Sequence, residues 1–525
     1  MAKKGLCARF GESMSSVVAE HAKKRALHAN KIVTRGTCCL SNASAPGDVP
    51  HLNVLIGSDD CEYLVSDRCI RKYSRQLYVF GIAAMARMMH SNVLVSGLSG
   101  LGLEICKNVI LAGVKSFFIH DPSPVTFNDL SSHFYAAESD VKQSGSQSAP
   151  ALEKGGVPSV RTRAEAAFAK LKELNDLTPV QIFENEELVC DDSSLGRFTV
   201  VVIVGGQEDD LKRISNFCHE RNICFIATGS YGLYGYAFSD FGEQFTVSDS
   251  NGENPKTGII CGIHFDTDSK NTIIIETDKD GRHGLSEHDW IRLSGLGYEP
   301  FEDPLGAKIY RVQPIDRMVA QGSSSPRKVR DQTMFNLELN EVDYQKLKRL
   351  CHSGCGSKSG YWTEVKQPTS ISHTCFCESL YNDVMDEAKM VITDYSDVQK
   401  PKKLAAYLRA LFTFQTVNQG ELPRPGNSSD AKKVVERALI FFQENTRDLE
   451  PDESQKLMES TEQLLMTLAL GSKGSLNPMA ALFGGVVGQE IIKACSGKYL
   501  PINQWLHFES AKSLPRLWSR KDGPP

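Results

Sequence analysis

Asn92-Val-Leu-Val-Ser-Gly-Leu-Ser-Gly-Leu-Gly102 decides the fold. Asn92 to Ser96 is a short, β-branched run that reads as a buried strand, and Gly97 to Gly102 reads as a tight turn opening a helix through Ala112. Val114 to His120 makes the next strand and ends at Asp121, which completes a β-α-β unit. A glycine turn in this position aims backbone N–H groups and the positive end of a helix at a phosphate. Against the G-x-G-x-x-G pattern, Gly97 supplies the turn and Gly102 the close packing. Gly100 lies between them, but Ser99 stands where a missing side chain admits a pyrophosphate. Asp121, about 20 residues on, is where a ribose-binding carboxylate sits in such a unit. A degenerate turn of this kind fits a nucleotide site or an emptied relic of one.

The alternation of strand and helix continues outward. Ala164 to Asp176 is helical, Val180 to Phe183 and Phe198 to Val204 are extended, Leu211 to Arg221 is helical, and Ile223 to Ala227 is a strand. From about Gly235 to Pro368 short strands follow one another with turn residues between them and few helical signals: Gln244 to Val247, Gly258 to Phe265, Thr272 to Glu276 and Asp289 to Leu293. An inserted β domain is expected there. Helical spacing returns in Leu404 to Phe414, Lys432 to Glu444 and Ser454 to Leu470, a small bundle. Asn477 to Ser496 is a further glycine-containing helix, and Trp505 to Phe508 a short strand. Lys142 to Arg163 and Gln321 to Arg330, rich in Ser, Gly, Pro and basic residues, read as weakly ordered surface insertions.

The chain has 525 residues, too many for one core, so about three or four compact units are expected. A composition of 41% apolar and 23% charged residues with a formal net charge of −5 is that of a soluble globular protein and not of a nucleic-acid binder. No apolar run of membrane-spanning length is present, and the first segment lacks a secretory signal. The 15 cysteines therefore read as reduced thiols, in a cytoplasmic and nuclear setting. Lys23-Lys24-Arg25 fits a nuclear-import signal or a transit peptide, with a solvated leader as the favoured reading.

Lys72-Tyr-Ser-Arg-Gln-Leu-Tyr-Val-Phe-Gly81, followed by the glycine turn, resembles the opening helix of the family that adenylates ubiquitin and its relatives. Phe217-Cys-His-Glu-Arg-Asn222, Asp240-Phe-Gly242, Asp249-Ser-Asn-Gly-Glu253, Arg282-His-Gly284, Asn477-Pro-Met-Ala480, Gly484-Gly485 with Gly488-Gln489-Glu490, and Ala494-Cys-Ser-Gly-Lys498 resemble ubiquitin-activating enzymes in their order. The resemblance covers about Cys69 to Pro515 and only the amino-terminal half of such an enzyme. It implies a doubly wound, Rossmann-like α/β domain of the ThiF/MoeB type, interrupted by an inserted β-rich domain and a helical bundle. The implied boundaries are a disordered leader at 1–66, the first part of an inactive adenylation domain at 67–234, a first catalytic-cysteine half-domain at 235–368, the bundle at 369–470, the second part of the adenylation domain at 471–520, and a tail at 521–525.

The chemistry implied by the family joins ATP to the ubiquitin C-terminus as an acyl-adenylate and then moves the acyl group to a cysteine thiol. An active half carries an Asp after the strand equivalent to Phe198 to Val204, where this chain has Gly205-Gly206-Gln207. It carries Asn-Arg-Gln-Phe where this chain has Ser131-Ser-His-Phe134, and a lysine near the position of Arg163. Asp209 and Asp210 read as helix N-terminal acids, and no cysteine has the Cys-Thr setting of the thioester site. Cys106, Cys218 and Cys495 read as small core residues. No catalytic residue is therefore expected in this chain. ATP and magnesium belong to a catalytic half that is the expected partner, together with ubiquitin, and Arg75 is the residue that the resemblance sends across the pseudo-twofold interface to the ATP phosphates in trans. The glycine-containing helices would build that interface.

Two other readings stay open. One is a separately encoded subunit of an activating enzyme for ubiquitin or a ubiquitin-like modifier. The other is a dinucleotide-binding oxidoreductase, which the serine in the glycine turn disfavours. Cys351, Cys355, Cys375 and Cys377 have zinc-ligand chemistry but unconvincing spacing, so no metal is expected.

Overall fold

The computed structural model describes residues 53–58, 61–141, 161–184, 188–265, 271–278, 282–287, 289–296, 308–319, 327–353, 359–383, 389–443 and 451–513. The described chain starts with two antiparallel strands, β1 (Asn53–Ser58) and β2 (Cys61–Ser66), so the expected leader contains a hairpin just before residue 67. Three short helices follow: α1 (Asp67–Lys72), α2 (Ser74–Phe80) and α3 (Ile82–Met88).

The central sheet is then laid down as β3 (Asn92–Ser96), α4 (Gly100–Ala112), β4 (Ser116–His120), α5 (Arg163–Glu173), β5 (Val180–Ile182), β6 (Val200–Val204), α6 (Glu208–Glu220), β7 (Cys224–Tyr231) and β8 (Tyr234–Asp240). β8 corrects the expectation that the insertion begins at Gly235. Its backbone pairs antiparallel with β7 from Phe225↔Asp240 to Tyr231↔Tyr234, because a two-residue turn folds the chain straight back.

The insertion starts with β9 (Phe245–Val247), which pairs with the later β16 (Thr369–Ile371). Between them lie β10 (Thr257–Phe265), β11 (Thr272–Thr277), β12 (Trp290–Ser294), β13 (Ile309–Val319), β14 (Arg327–Glu338), α7 (Glu341–Ser353) and β15 (Gly360–Glu364). Six of these strands close into a barrel in the order β10-β11-β14-β13-β12-β15. Tyr344, Leu347 and Cys351 of α7 join its core with Ile263, Phe335 and Trp362. Arg327 to Arg330, read as part of a weakly ordered stretch, lie within β14.

Three long helices follow: α8 (Lys400–Val417), α9 (Ser428–Gln443) and α10 (Pro451–Leu470). The chain returns through α11 (Asn477–Ser496) to β17 (Trp505–Glu509), the outermost strand. The chain divides into two compact units. One is the barrel, Thr246–Ile371 with Lys498–Leu500, and the other holds the sheet and the bundle helices together.

The sheet runs β17-β8-β7-β6-β3-β4-β5, with β7, β6, β3, β4 and β5 parallel and the β8 and β17 edge antiparallel. It is therefore mixed. Alternate residues of its strands feed two cores, as the period-2 geometry of a strand requires. Val93, Val95, Val200 and Val202 pack with α4 and α11, whereas Leu94, Val201 and Ile203 pack on the side of α6 and α8. The order reverses at β3, whose neighbours are β6 and β4, so the crevice beyond Ser96, His120 and Val204 is the topological switch point.

Candidate functional site

The glycine turn lies at that switch point. Gly97 adopts φ +94°, and a Cβ there would meet the Val204 carbonyl oxygen at 2.3 Å, so only glycine fits. A Cβ on Gly102 would meet the Gly97 carbonyl oxygen at 2.0 Å, which is the close helix–turn packing read from the sequence. Ser99 is the N-cap residue of α4 with extended backbone, and its side chain makes no capping hydrogen bond. Above Gly100 the space is taken: a Cβ there would stand 2.9 Å from both Cβ and the carbonyl oxygen of Ser132. The Ser131-Ser132-His133 turn thus packs directly on the start of the helix.

Asp121 is buried and turned toward the protein. Its Oδ2 accepts the Leu98 N–H at 2.7 Å and its Oδ1 the Ser123 N–H at 3.0 Å. The guanidinium of Arg163 stands 3.7 Å from Asp121 and 2.9 Å from Asp129. Arg163 is placed by a capping box, in which Thr162 Oγ1 accepts the Glu165 N–H and Glu165 Oε2 accepts the Thr162 N–H. Burial tends to raise the Asp129 carboxyl, but the Arg163 hydrogen bond and those from the Thr126 N–H and hydroxyl outweigh it and hold the group below its ordinary value. His133 is buried beside them, and burial holds its imidazole below the usual histidine range. The charged groups at the mouth of the turn are thereby paired with one another.

Gly205 and Gly206 follow β6, and the first carboxylates after it, Glu208, Asp209 and Asp210, are in the first turn of α6, where acids complement the positive helix end. Cys106, Cys218 and Cys495 are buried, and burial raises all three thiols. Among the described residues no group of three or more His, Cys, Asp or Glu side chains is arranged to hold a metal. Cys351 is in the barrel core, Cys375 and Cys377 belong to the other unit, and Cys355 lies outside the described residues.

Arg75 contrasts with this closed network. It projects from α2 into solvent, with no ion pair among the described residues. Exposed apolar side chains adjoin it in sequence, with Tyr78 72% exposed and Val79 and Ile82 also open to solvent. The glycines of α11 have two roles that the sequence did not separate. Gly484 and Gly488 face α4 within the chain, where a Cβ would meet Glu104 Cβ at 2.4 Å and Asn108 Cβ at 3.0 Å, and Asn108 donates to the Gly484 carbonyl at 3.0 Å. Gly485 alone of the three has open space at its Cβ position.

Residues 73–264 match the ThiF family, and residues 367–440 match the ubiquitin-activating enzyme E1 four-helix bundle. Ubiquitin-activating enzyme E1 1 of Candida albicans (strain WO-1) is 33% identical over 445 residues, covering 84% of this chain and 37% of that protein. Ubiquitin-activating enzyme E1 1 of Schizosaccharomyces pombe is 34% identical over 443 residues, covering 84% and 37%. Ubiquitin-like modifier-activating enzyme 1 of Homo sapiens is 33% identical over 454 residues, covering 84% and 36%. The chain spans less than two-fifths of the length of these relatives. No helix among the described residues is long and apolar enough to cross a membrane.

Proposed function

We infer, from the membership of this chain in the ubiquitin-activating enzyme family, that it is the non-catalytic half of such an enzyme and supports chemistry carried out elsewhere. The observation that carries the reading is the contrast between two arginines. Arg163 is spent on Asp121 and Asp129 within the crevice, whereas Arg75 is exposed and without an ion partner among the described residues. The crevice residues do not fit a nucleotide with magnesium. Ser132 fills the space over Gly100, both oxygens of Asp121 already accept backbone N–H groups, and no carboxylate directly follows β6.

On this reading ATP and magnesium are held by a catalytic half, in the same full-length polypeptide or in a separate subunit. Arg75 reaches the ATP phosphates of that half in trans. A planar, permanently charged guanidinium suits the charge that develops when the ubiquitin carboxylate attacks the α-phosphate. The barrel unit helps to enclose ubiquitin, and the working locations are the cytoplasm and nucleus.

The test is ATP–pyrophosphate exchange with ubiquitin. The pure chain alone is expected to give none, and addition of a matching catalytic half is expected to restore it. Robust exchange by the lone chain overturns the assignment.

A further inference from the structure

The Cys375-Phe376-Cys377 segment takes no part in the proposed function, yet its two thiols face each other. Their sulfur atoms are 3.7 Å apart. A disulfide bond is about 2.05 Å long, so an approach of about 1.7 Å would join them. Cys377 is half-buried, whereas Cys375 is buried.

The segment also sits at a junction of packing elements. Phe376 is fully buried, with ring centroids 5.2 Å from Phe238 of β8, 5.7 Å from Trp505 of β17 and 6.3 Å from Phe412 of α8. Its N–H donates to Ser215 Oγ of α6 at 2.9 Å. On either side, the Thr374 hydroxyl donates to Gln504 Oε1 at 2.8 Å and the Ser379 N–H donates to the Cys375 carbonyl at 2.9 Å.

We propose that Cys375 and Cys377 form a reversible thiol–disulfide switch, oxidised by hydrogen peroxide, that alters the seating of Phe376. The Cys377 sulfur, as thiolate, attacks one peroxide oxygen. The O–O bond breaks, and the departing hydroxide leaves as water with the proton released from the thiol, giving a sulfenic acid. The Cys375 sulfur then attacks the sulfenic sulfur. An S–S bond forms as the S–O bond breaks, and the hydroxyl leaves as a second water with the Cys375 proton. Two thiols lose two electrons and two protons in total, and one peroxide becomes two waters. Burial pushes the Cys375 thiol up to about 11, which suits the resolving role better than the first attack. Closing the gap tightens the turn that holds Phe376, so its ring and its bond to Ser215 must shift.

The experiment uses the full chain. It is treated with hydrogen peroxide, free thiols are alkylated, and tryptic peptides are weighed before and after reduction. The peptide from Gln367 to Lys389 contains Cys375 and Cys377 and no other cysteine. It is expected two hydrogens lighter and unalkylated after oxidation, to regain two alkylatable thiols with dithiothreitol, and to show faster hydrogen exchange at the Phe376 amide. In Cys377→Ser the same treatment should leave Cys375 alkylatable. Alkylation of both cysteines after oxidation of the original chain overturns the proposal, as do sulfinic acid at Cys377 without a disulfide and bonds from either residue to a different cysteine.

Discussion

The Asp121 carboxylate accepts the backbone N–H of Leu98 at 2.7 Å, and both residues are buried. Asp121 thereby holds the glycine turn against the end of β4. Asp121→Ala should leave that N–H unpaired and cost about 1–3 kcal/mol, read as a lower urea midpoint. Asp121→Asn keeps an acceptor in place and should cost less. A stable Asp121→Ala protein with altered nucleotide affinity would assign the carboxylate to a ribose instead.

Arg75 is exposed, so Arg75→Ala should leave the thermal midpoint unchanged. In a reconstituted pair the same substitution should slow adenylate formation about a hundredfold, the scale of losing one preorganised partner for developing charge. Arg75→Lys should recover only part of the rate, because an ammonium cannot replace the guanidinium fork. An unchanged exchange rate would reduce Arg75 to a solvated surface residue.

Gly484 and Gly485 are neighbours with opposite surroundings. Gly484→Val would drive its side chain into Glu104 and should cost about 1–3 kcal/mol through the α4–α11 packing. Gly485→Ala meets open space and should instead stabilise the isolated chain by up to about 1 kcal/mol, since alanine favours the helix. Chemical unfolding of both variants measures the contrast, and equal effects would contradict the placement of α11.

His373 supplies a pH dependence with a defined sign. Its Nδ1 accepts the Phe241 N–H at 2.9 Å, and burial depresses the imidazole from 6.5 to about 4. The unfolded chain therefore binds the proton more readily. The contribution of the neutral ring is full above pH about 6.5 and is lost as pH falls from about 6.5 to about 4, amounting to about 3 kcal/mol. His373→Gln should flatten this part of the stability profile, and an unaltered profile would show that the ring does not titrate as its surroundings require.

The elements read best from sequence were those whose periodicity and punctuation agree. Asn92 to Ser96 and Asn477 to Ser496 have the predicted bounds, the first closed by a glycine turn and the second ended by Gly497. Gly235 to Asp240 reads as part of the insertion because the strand is buried on both faces, its aromatic and small residues alternating without a solvent-facing polar side to show which sheet it joins. α7 was missed although its signals were present: Tyr344, Leu347 and Cys351 follow helical spacing, and Asn340 Oδ1 caps the Asp343 N–H at 2.8 Å. Within the site, the glycine turn was legible because it is local. The closure of Asp121 by Arg163 was not, because it joins residues 42 positions apart across a stretch with no periodic pattern.

The edge strand Trp505–Glu509 lies beside Tyr234–Asp240 in space but some 265 residues later in the chain. A ribosome adding about 5–20 residues per second takes tens of seconds to bridge that gap. Throughout that time the N–H and C=O groups along the outer edge of Tyr234–Asp240 are available to any passing strand, including one from another nascent chain. The sheet that presents the glycine turn is thus completed only after the barrel and the bundle helices have been synthesised, and β17 is also the cap that ends the exposure of this edge to mispairing.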